Sequence, residues 1–177
     1  MASVFGGGTG GADMLIISPL AKISPLADIE DSVRGSRVII EDGAVVDSFV
    51  KIKFAGGSGD VRIGRNSIIN SGTVIYSGHG VTIGAGVLIA ANCTLAATNH
   101  RFADRDRPIQ AQGHMPGRGG IVLEDDVWIG CNTVLLDGAL VRHGAVIGAA
   151  SVVRGEVASW TIAAGNPLRT IGQRGGD

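Results

Sequence analysis

Four histidines, two cysteines and one long polar segment are the parts of this chain whose residue types suit chemistry. His100 stands near the start of that segment, Ala97-Thr98-Asn99-His100-Arg101-Phe102-Ala103-Asp104-Arg105-Asp106-Arg107-Pro108, which runs on to His114-Met115-Pro116-Gly117. An imidazole titrates near neutrality, so it can take a proton from a reacting group and return it at cellular pH. A solvated surface histidine is the competing reading, and position alone leaves both open. His114 and Met115 lie in the same segment, where they can cover a bound acceptor. His143, in Arg142-His143-Gly144, reads as a solvated bend residue. Cys93 and Cys131 lack metal-ligand spacing, and they read as reduced thiols of a cytoplasmic protein. Nothing beside Cys131 would lower its pKa for nucleophilic work. Arg154, Arg169 and Arg174 are the basic residues near the C-terminal end, available to phosphates through charge-assisted bonds or simply solvated.

Whatever positions these groups has a six-residue rhythm. Ile40, Val46 and Ile52 are six apart, as are Ile63, Ile69 and Ile75, then Ile83, Ile89 and Leu95, then Leu123, Ile129, Leu135, Val141, Ile147 and Val153. Period six is neither helical nor the plain alternation of a strand. It fits short strands with a bend after each, one aliphatic side chain per hexad pointing inward. Three bends of about 120° close a triangle, so 18 residues make a coil that hydrogen-bonds only to its neighbours. The reading is all-β: a parallel β-helix of about five coils, 40–158, with short terminal caps. A flexible Gly-rich start and a capping segment would occupy 1–39, and a short helix or extended tail 159–177. Gly64, Gly84, Gly130, Gly138 and Gly148 are expected at bends that need positive φ.

The fifth position of each hexad should also point inward, and it is mostly small: Ala44, Ser67, Thr73, Cys93, Thr133, Ala139, Ala145 and Ser151. Cys93 thus reads as core filler. His79 and Asn99 break the rule in consecutive coils, which places them near one corner, as hydrogen-bonded corner residues or as acceptor contacts. The insertions Gly56–Asp60, the residues around Gly78–Gly80, and the loop 97–120 all leave from the third hexad. Long loops on one edge of a rigid scaffold usually carry function, and a histidine at such a loop's base is well mounted.

Composition removes other classes. With 29 glycines the chain is far from collagen, and its aliphatic content is too high for disorder. A net charge of −1 gives no basic field for nucleic acid, and 4 % aromatics is too little for stacking on single strands. Met1–Gly11 has no basic n-region, and the apolar run from Met14 to Leu20 is broken by Pro19, so neither a signal peptide nor a membrane span is expected.

Four segments carry a resemblance: Val81-Thr82-Ile83-Gly84 through Asn99-His100; Asp125-Asp126-Val127-Trp128-Ile129-Gly130-Cys131-Asn132; Val146-Ile147-Gly148-Ala149-Ala150-Ser151-Val152-Val153; and Ala164-Gly165-Asn166-Pro167-Leu168-Arg169. From about Ile63 to Gln173 the chain resembles the hexapeptide-repeat acetyltransferases, in particular the galactoside-, maltose- and serine-type sugar O-acetyltransferases, including enzymes that decorate bacterial surface polysaccharides. The resemblance implies a left-handed parallel β-helix working as a homotrimer, with acetyl-CoA in a groove between subunits and no metal. His100 matches the catalytic histidine, Asn70 an acceptor contact, Trp128 the groove tryptophan, and Cys131 a position whose backbone N–H faces the thioester. Ala149 and Arg169 match cofactor contacts. Arg154-Gly155 stands where a Thr-Lys pair is common, and the helical segment that precedes the repeat in the galactoside branch is absent.

The function expected is acetyl transfer from acetyl-CoA to a sugar hydroxyl, by direct attack with His100 as base and a backbone N–H near Cys131 as oxyanion donor. Asn70, His79, Asn99 and Met115 would contact the sugar or nucleotide-sugar acceptor, and Trp128, Cys131, Ala149, Arg154 and Arg169 the cofactor. Without the resemblance, Trp128 could be plain packing and Asn70 a solvated turn residue. An N-acetyltransferase acting on a nucleotide-linked amino sugar is the alternative. A gamma-type carbonic anhydrase would need three convergent imidazoles on zinc, and no two histidines here are five apart. A non-catalytic scaffold would not need the loop histidine, the groove tryptophan and Ala-Gly-Asn-Pro together. Three-fold packing also has a physical reason, since a flat-faced prism needs a second wall to make a groove.

Overall fold

β-branched residues pack well on pleated surfaces, and at six-residue spacing they build short strands separated by tight bends. The computed structural model describes residues 14–175, and the Gly-rich start lies outside the described residues. Twenty of its strands wind into a triangular prism. The first face stacks β1 (Leu15–Ile17), β4 (Val38–Ile40), β7 (Val61–Ile63), β10 (Val81–Ile83), β13 (Ile121–Leu123), β16 (Ala139–Val141) and β19 (Glu156–Val157). The second stacks β2 (Lys22–Ile23), β5 (Val45–Val46), β8 (Ile68–Ile69), β11 (Leu88–Ile89), β14 (Trp128–Ile129), β17 (Val146–Ile147) and β20 (Thr161–Ala164), closed by β21 (Arg169–Gln173). The third stacks β3 (Asp28–Ile29), β6 (Lys51–Lys53), β9 (Val74–Tyr76), β12 (Thr94–Ala96), β15 (Val134–Leu136) and β18 (Val152–Val153). All ladders within the prism are parallel and in register, as in Ile63 beside Ile83 and Ile83 beside Leu123. The single helix among the described residues, α1 (Ile109–Gln112), lies in the long loop.

The hexad aliphatics from Ile40 to Val153 form the core, each at most 1 % exposed. The small fifth-position residues are buried beside them, and their hydroxyls join rungs: Ser67 Oγ donates to Gly84 O at 2.7 Å, and Thr133 Oγ1 to Gly148 O at 3.2 Å. Cys93 is packed among them with Sγ 3.2 Å from Gly130 O, and burial pushes its thiol pKa up.

Three features correct or narrow the sequence reading. The stack begins one turn before Ile40: Ile17, Ile23 and Ile29 keep the six-residue spacing and pair with Ile40, Val46 and Ile52. As the end rung, this turn is only partly covered, which hid it among the prolines Pro19 and Pro25. At the C-terminal end the chain turns at 165–168 and lays β21 antiparallel on β20, with no helix.

The glycines are the third. Of the five assigned to positive φ, only Gly138 has it; Gly64, Gly84, Gly130 and Gly148 do not. They are glycines because the next rung is too near: a Cβ on Gly64 would stand 2.4 Å from Gly84 O, and one on Gly130 2.5 Å from Ala149 N. The left-handed residues sit three after the inward aliphatic, at Gly43, Phe49, Asn66, Gly72, Gly86, Asn92, Asp126, Asn132, Gly144, Ala150 and Trp160, with φ from 57° to 73°. Gly, Asn and Asp tolerate that region best, which explains most of this column.

Ile89→Ala, in a rung covered on both sides, should cost about 2–5 kcal/mol by loss of buried methyls plus an unfilled cavity. Urea unfolding followed by far-UV circular dichroism measures it.

Candidate active site

Where the third face turns into the first the spacing is not fixed: Gly56, Gly78, Gly138 and Gly155 have positive φ there, two to four residues after the inward aliphatic. At this corner the turn need not be tight, and extra chain can leave. Residues 30–37, 54–60 and 97–120 all do so between a third-face strand and the next first-face strand. The elaborated corner therefore sets three residues from separate turns against the histidine loop: Arg34, Gly56 and His79.

The loop's neck is a short antiparallel ladder in which His100 bridges His114. Met115 N donates to Asn99 O at 2.8 Å and Arg101 N to Gly113 O at 2.9 Å. The two imidazoles lie face to face, centroids 4.5 Å apart and planes at 33°. The Asn99 side chain accepts from His100 N at 2.9 Å, and Arg101 Nε donates to His114 O at 3.0 Å. Gly56 leaves room for this neck, since a Cβ there would lie 2.0 Å from Thr98 Oγ1 and 3.0 Å from His114 Cδ2. Burial first, then the charges on His100, Arg34 and His79, hold the His114 pKa below its ordinary range. The loop tip ties itself through Gln112, whose Nε2 donates to the carbonyls of Asp104 and Arg107 at 2.8 Å each.

The loop's return is pinned by Asp137, a residue the sequence reading passed over. Its carboxylate accepts Arg118 N and Gly120 N, both at 2.9 Å, and Gly138 N donates to Gly120 O at 2.6 Å. The buried Nδ1 of His79 lies 3.2 Å from Asp137 Oδ2, at ion-pair distance but off the hydrogen-bond direction. Gly117 closes over the His79 ring, where a Cβ would come within 2.4 Å of Cγ. His79 is therefore half-buried under the returning loop. Asn99 does not point inward as its hexad position suggested; it is exposed. On the third face Ser77 and Ala97 are the last buried residues before the chain leaves its rung, so Asn99 belongs to the loop neck and not to the core. Asp137 takes the place in register that Ser77 and Ala97 hold two rungs and one rung below. An acid at a buried rung position was the signal for it.

Beside the neck is a cleft of about 510 Å³, lined by Thr98, Asn99, Phe102, Met115, Arg118 and Arg154 above a floor that includes Asp137. Arg154, expected with the cofactor residues, sits here with the acceptor candidates Asn99 and Met115.

The other predicted residues collect elsewhere. Ile69, Ile89, Ile129 and Ile147 pair in register, so Asn70, Cys131 and Ala149 follow them round the corner between the second and third faces. Asn70 Nδ2 donates to Ile89 O at 2.8 Å, while Cys131 and Ala149 are exposed. Arg169 pairs with Ala164, whose Cβ lies against Gly148, and so it extends the same edge. Trp128, 49 % exposed, stands two residues before this corner on the second face, in register with Ile68, Leu88 and Val146. The third face, about six residues or roughly 20 Å wide, separates this edge from His100 within one chain. Among the described residues no three His, Cys, Asp or Glu side chains gather to hold a metal ion, and no helix is long and apolar enough to cross a membrane.

No family model matches the chain. It is 41 % identical over 64 residues to a chloramphenicol acetyltransferase of Agrobacterium fabrum, covering 36 % of this chain and 30 % of the relative. It is 40 % identical over 58 residues to a 2,3,4,5-tetrahydropyridine-2,6-dicarboxylate N-acetyltransferase of Staphylococcus aureus, covering 33 % and 24 %. The chain thus spans less than a third of the length of these two curated relatives. Among solved structures, a hexapeptide-repeat-containing acetyltransferase of Vibrio cholerae, in complex with acetyl coenzyme A, matches with a TM-score of 0.67 and 31 % identity over 77 % of this chain and 70 % of that one. A variant of AntD, an N-acyltransferase from Bacillus cereus in complex with dTDP and coenzyme A, shares the fold with a TM-score of 0.74 at 23 % identity, over 91 % and 84 %. The match to the Vibrio protein places this chain in the hexapeptide-repeat acetyltransferases.

Asp137→Asn should leave the rungs intact but free the loop's return, at a cost of about 1–3 kcal/mol for a charged acceptor lost to buried donors. Hydrogen exchange at 97–120 should rise while circular dichroism is unchanged. Acidification should loosen the neck as well. The folded His114 binds its proton less readily than an unfolded histidine with its ordinary pKa of 6.5, so stability present above that pH is lost as pH falls below it. Proteolysis within the loop should therefore accelerate on going below about pH 6.5.

Proposed function

We propose that this chain transfers an acetyl group from acetyl-CoA to a sugar hydroxyl, with His100 as the general base, at sites shared between the copies of a homotrimer. The observation that carries this reading is the division of the chemistry between two edges of the prism. His100, Asn99 and Met115 stand at the elaborated corner, and Cys131, Ala149 and Arg169 run along the opposite edge of the third face. A second copy set against the first brings the two edges together. The outward column Ile68, Leu88 and Trp128 supports that assembly, being an exposed apolar stripe on a flat face.

His100 takes the proton of the acceptor hydroxyl as its oxygen attacks the thioester carbonyl. The backbone N–H of Cys131, from the neighbouring copy, meets the oxyanion that forms. Collapse of the tetrahedral intermediate breaks the C–S bond, and the imidazolium returns its proton to the leaving thiolate. No enzyme-bound acyl group is needed, because both substrates are held at once. Trp128 walls the cofactor groove, and Asn70 contacts the acceptor. The His114 pair keeps His100 free of a second nearby charge, which suits a base. Acetyl-CoA supply places the reaction in the cytoplasm, with surface-polysaccharide synthesis as its setting.

A second reading, N-acetylation of a nucleotide-linked amino sugar, is favoured by the two arginines in the cleft. A neutral amine would attack in the same geometry and lose its proton to the same base.

His100→Ala should lower turnover by about 10²–10⁴ while CoA still binds, read as thiol release from acetyl-CoA across sugars, amino sugars and nucleotide sugars. Unchanged turnover would remove the role of His100. Co-expression of His100→Ala with Ala149→Trp, each inactive alone, should restore about a quarter of wild-type activity, because mixed trimers re-form sites with both edges intact. Absence of rescue, or a monomer by sedimentation, would rule out shared sites.

A further inference from the structure

We infer that the cleft beside the loop neck recognises a phosphoryl group carried by the acceptor, with Arg118 and Arg154 as its clamps; this rests on the acetyl-transfer reading above. The two guanidiniums come from different parts of the chain. Arg118 precedes β13 at the end of the loop, and Arg154 follows β18 two rungs on. Neither makes a side-chain hydrogen bond or ion pair among the described residues. Arg37, Arg62, Arg142 and Arg174, by contrast, are matched with Asp60, Glu41, Glu124 and Asp126.

The one carboxylate in the cleft, Asp137, is already engaged by Arg118 N, Gly120 N and His79, so it does not neutralise either guanidinium by pairing.

Shape and chemistry then choose the ligand. A carboxylate presents its acceptor sites in one plane, whereas a phosphoryl group offers oxygens in several directions and so suits two forks approaching from different rungs. The apolar faces of Phe102, Met115 and Leu136 leave room for the organic part of such a ligand, and about 510 Å³ lies within the range of small-molecule sites. The group belongs to the acceptor and not to CoA because Asn99 and Met115, which line the cleft, are the bonded strands of the His100 neck. The base must reach the acceptor's proton directly.

The test uses the full chain, wild type and Arg118→Gln/Arg154→Gln, with melting curves to establish that both are folded. Calorimetry with a nucleoside diphosphate and, separately, with CoA reads binding without turnover. The diphosphate should bind wild type and weaken by about 10-fold or more for each arginine removed, while CoA affinity stays within a few-fold. In thiol release, a phosphoryl-bearing sugar should outcompete the free sugar, and the double variant should lose that preference. Failure of the diphosphate to bind wild type, equal binding by the variant, or a parallel loss of CoA affinity would overturn the inference. If binding follows the arginines but no acceptor releases thiol, the cleft stands as a phosphoryl site and the acetyl-transfer reading falls.

Discussion

Everything in this molecule is subject to the spacing of neighbouring rungs, about 4.8 Å between hydrogen-bonded strands. That distance leaves no room for a Cβ at Gly64, Gly84 or Gly130, where the next rung's backbone would lie under 3 Å away, or at Gly148, where the Cβ of Ala164 would lie 2.8 Å away. It requires one residue per regular corner to bend left-handed so that the chain stays in its own layer. Two of the three edges are governed in this way and stay plain. At the third, between the third and first faces, the positive-φ glycines fall at no fixed place in the hexad, and it is there that residues have been added.

Chemistry follows from that inequality. The unconstrained edge collects the Arg34 segment, Gly56, the His79 turn and the loop with His100 and His114, although they are far apart in sequence. The constrained edge presents small side chains and a regular run of backbone past Cys131 and Ala149. The residues proposed above for acceptor and cofactor stand about one face-width apart in a single chain, which is why the proposal sets a second copy beside the first.

Much of this was legible in the residues. The six-residue spacing of aliphatics announces the core, and the positions of the insertions announce the elaborated corner. What was not legible has physical reasons. The first turn was obscured because an end rung buries its Ile17, Ile23 and Ile29 only in part, and its exposed neighbours look like any polar connection. The glycines were assigned to bend angles because sequence shows a missing Cβ without showing what it would strike. Asn99 was placed inside by counting hexads, but the chain leaves its rung after the buried Ala97, and Asn99 pairs with Met115 in the loop neck. Asp137 was readable only by lining up turns across a long insertion, which places an acid over Ala97. The His100 and His114 pairing spans a loop whose closure no local pattern encodes.

The order of turns also sets a length. Asn99 leaves one rung and Arg154 the corner two rungs later, so their separation along the prism is a whole number of layers and cannot drift. A relative with one turn more or fewer between them would keep its loop, its histidines and its core, yet its second guanidinium would stand a layer farther away or nearer. If the cleft holds the ligand proposed above, its reach is set by counting layers, and the gain or loss of 18 residues would change it without a single substitution in the site.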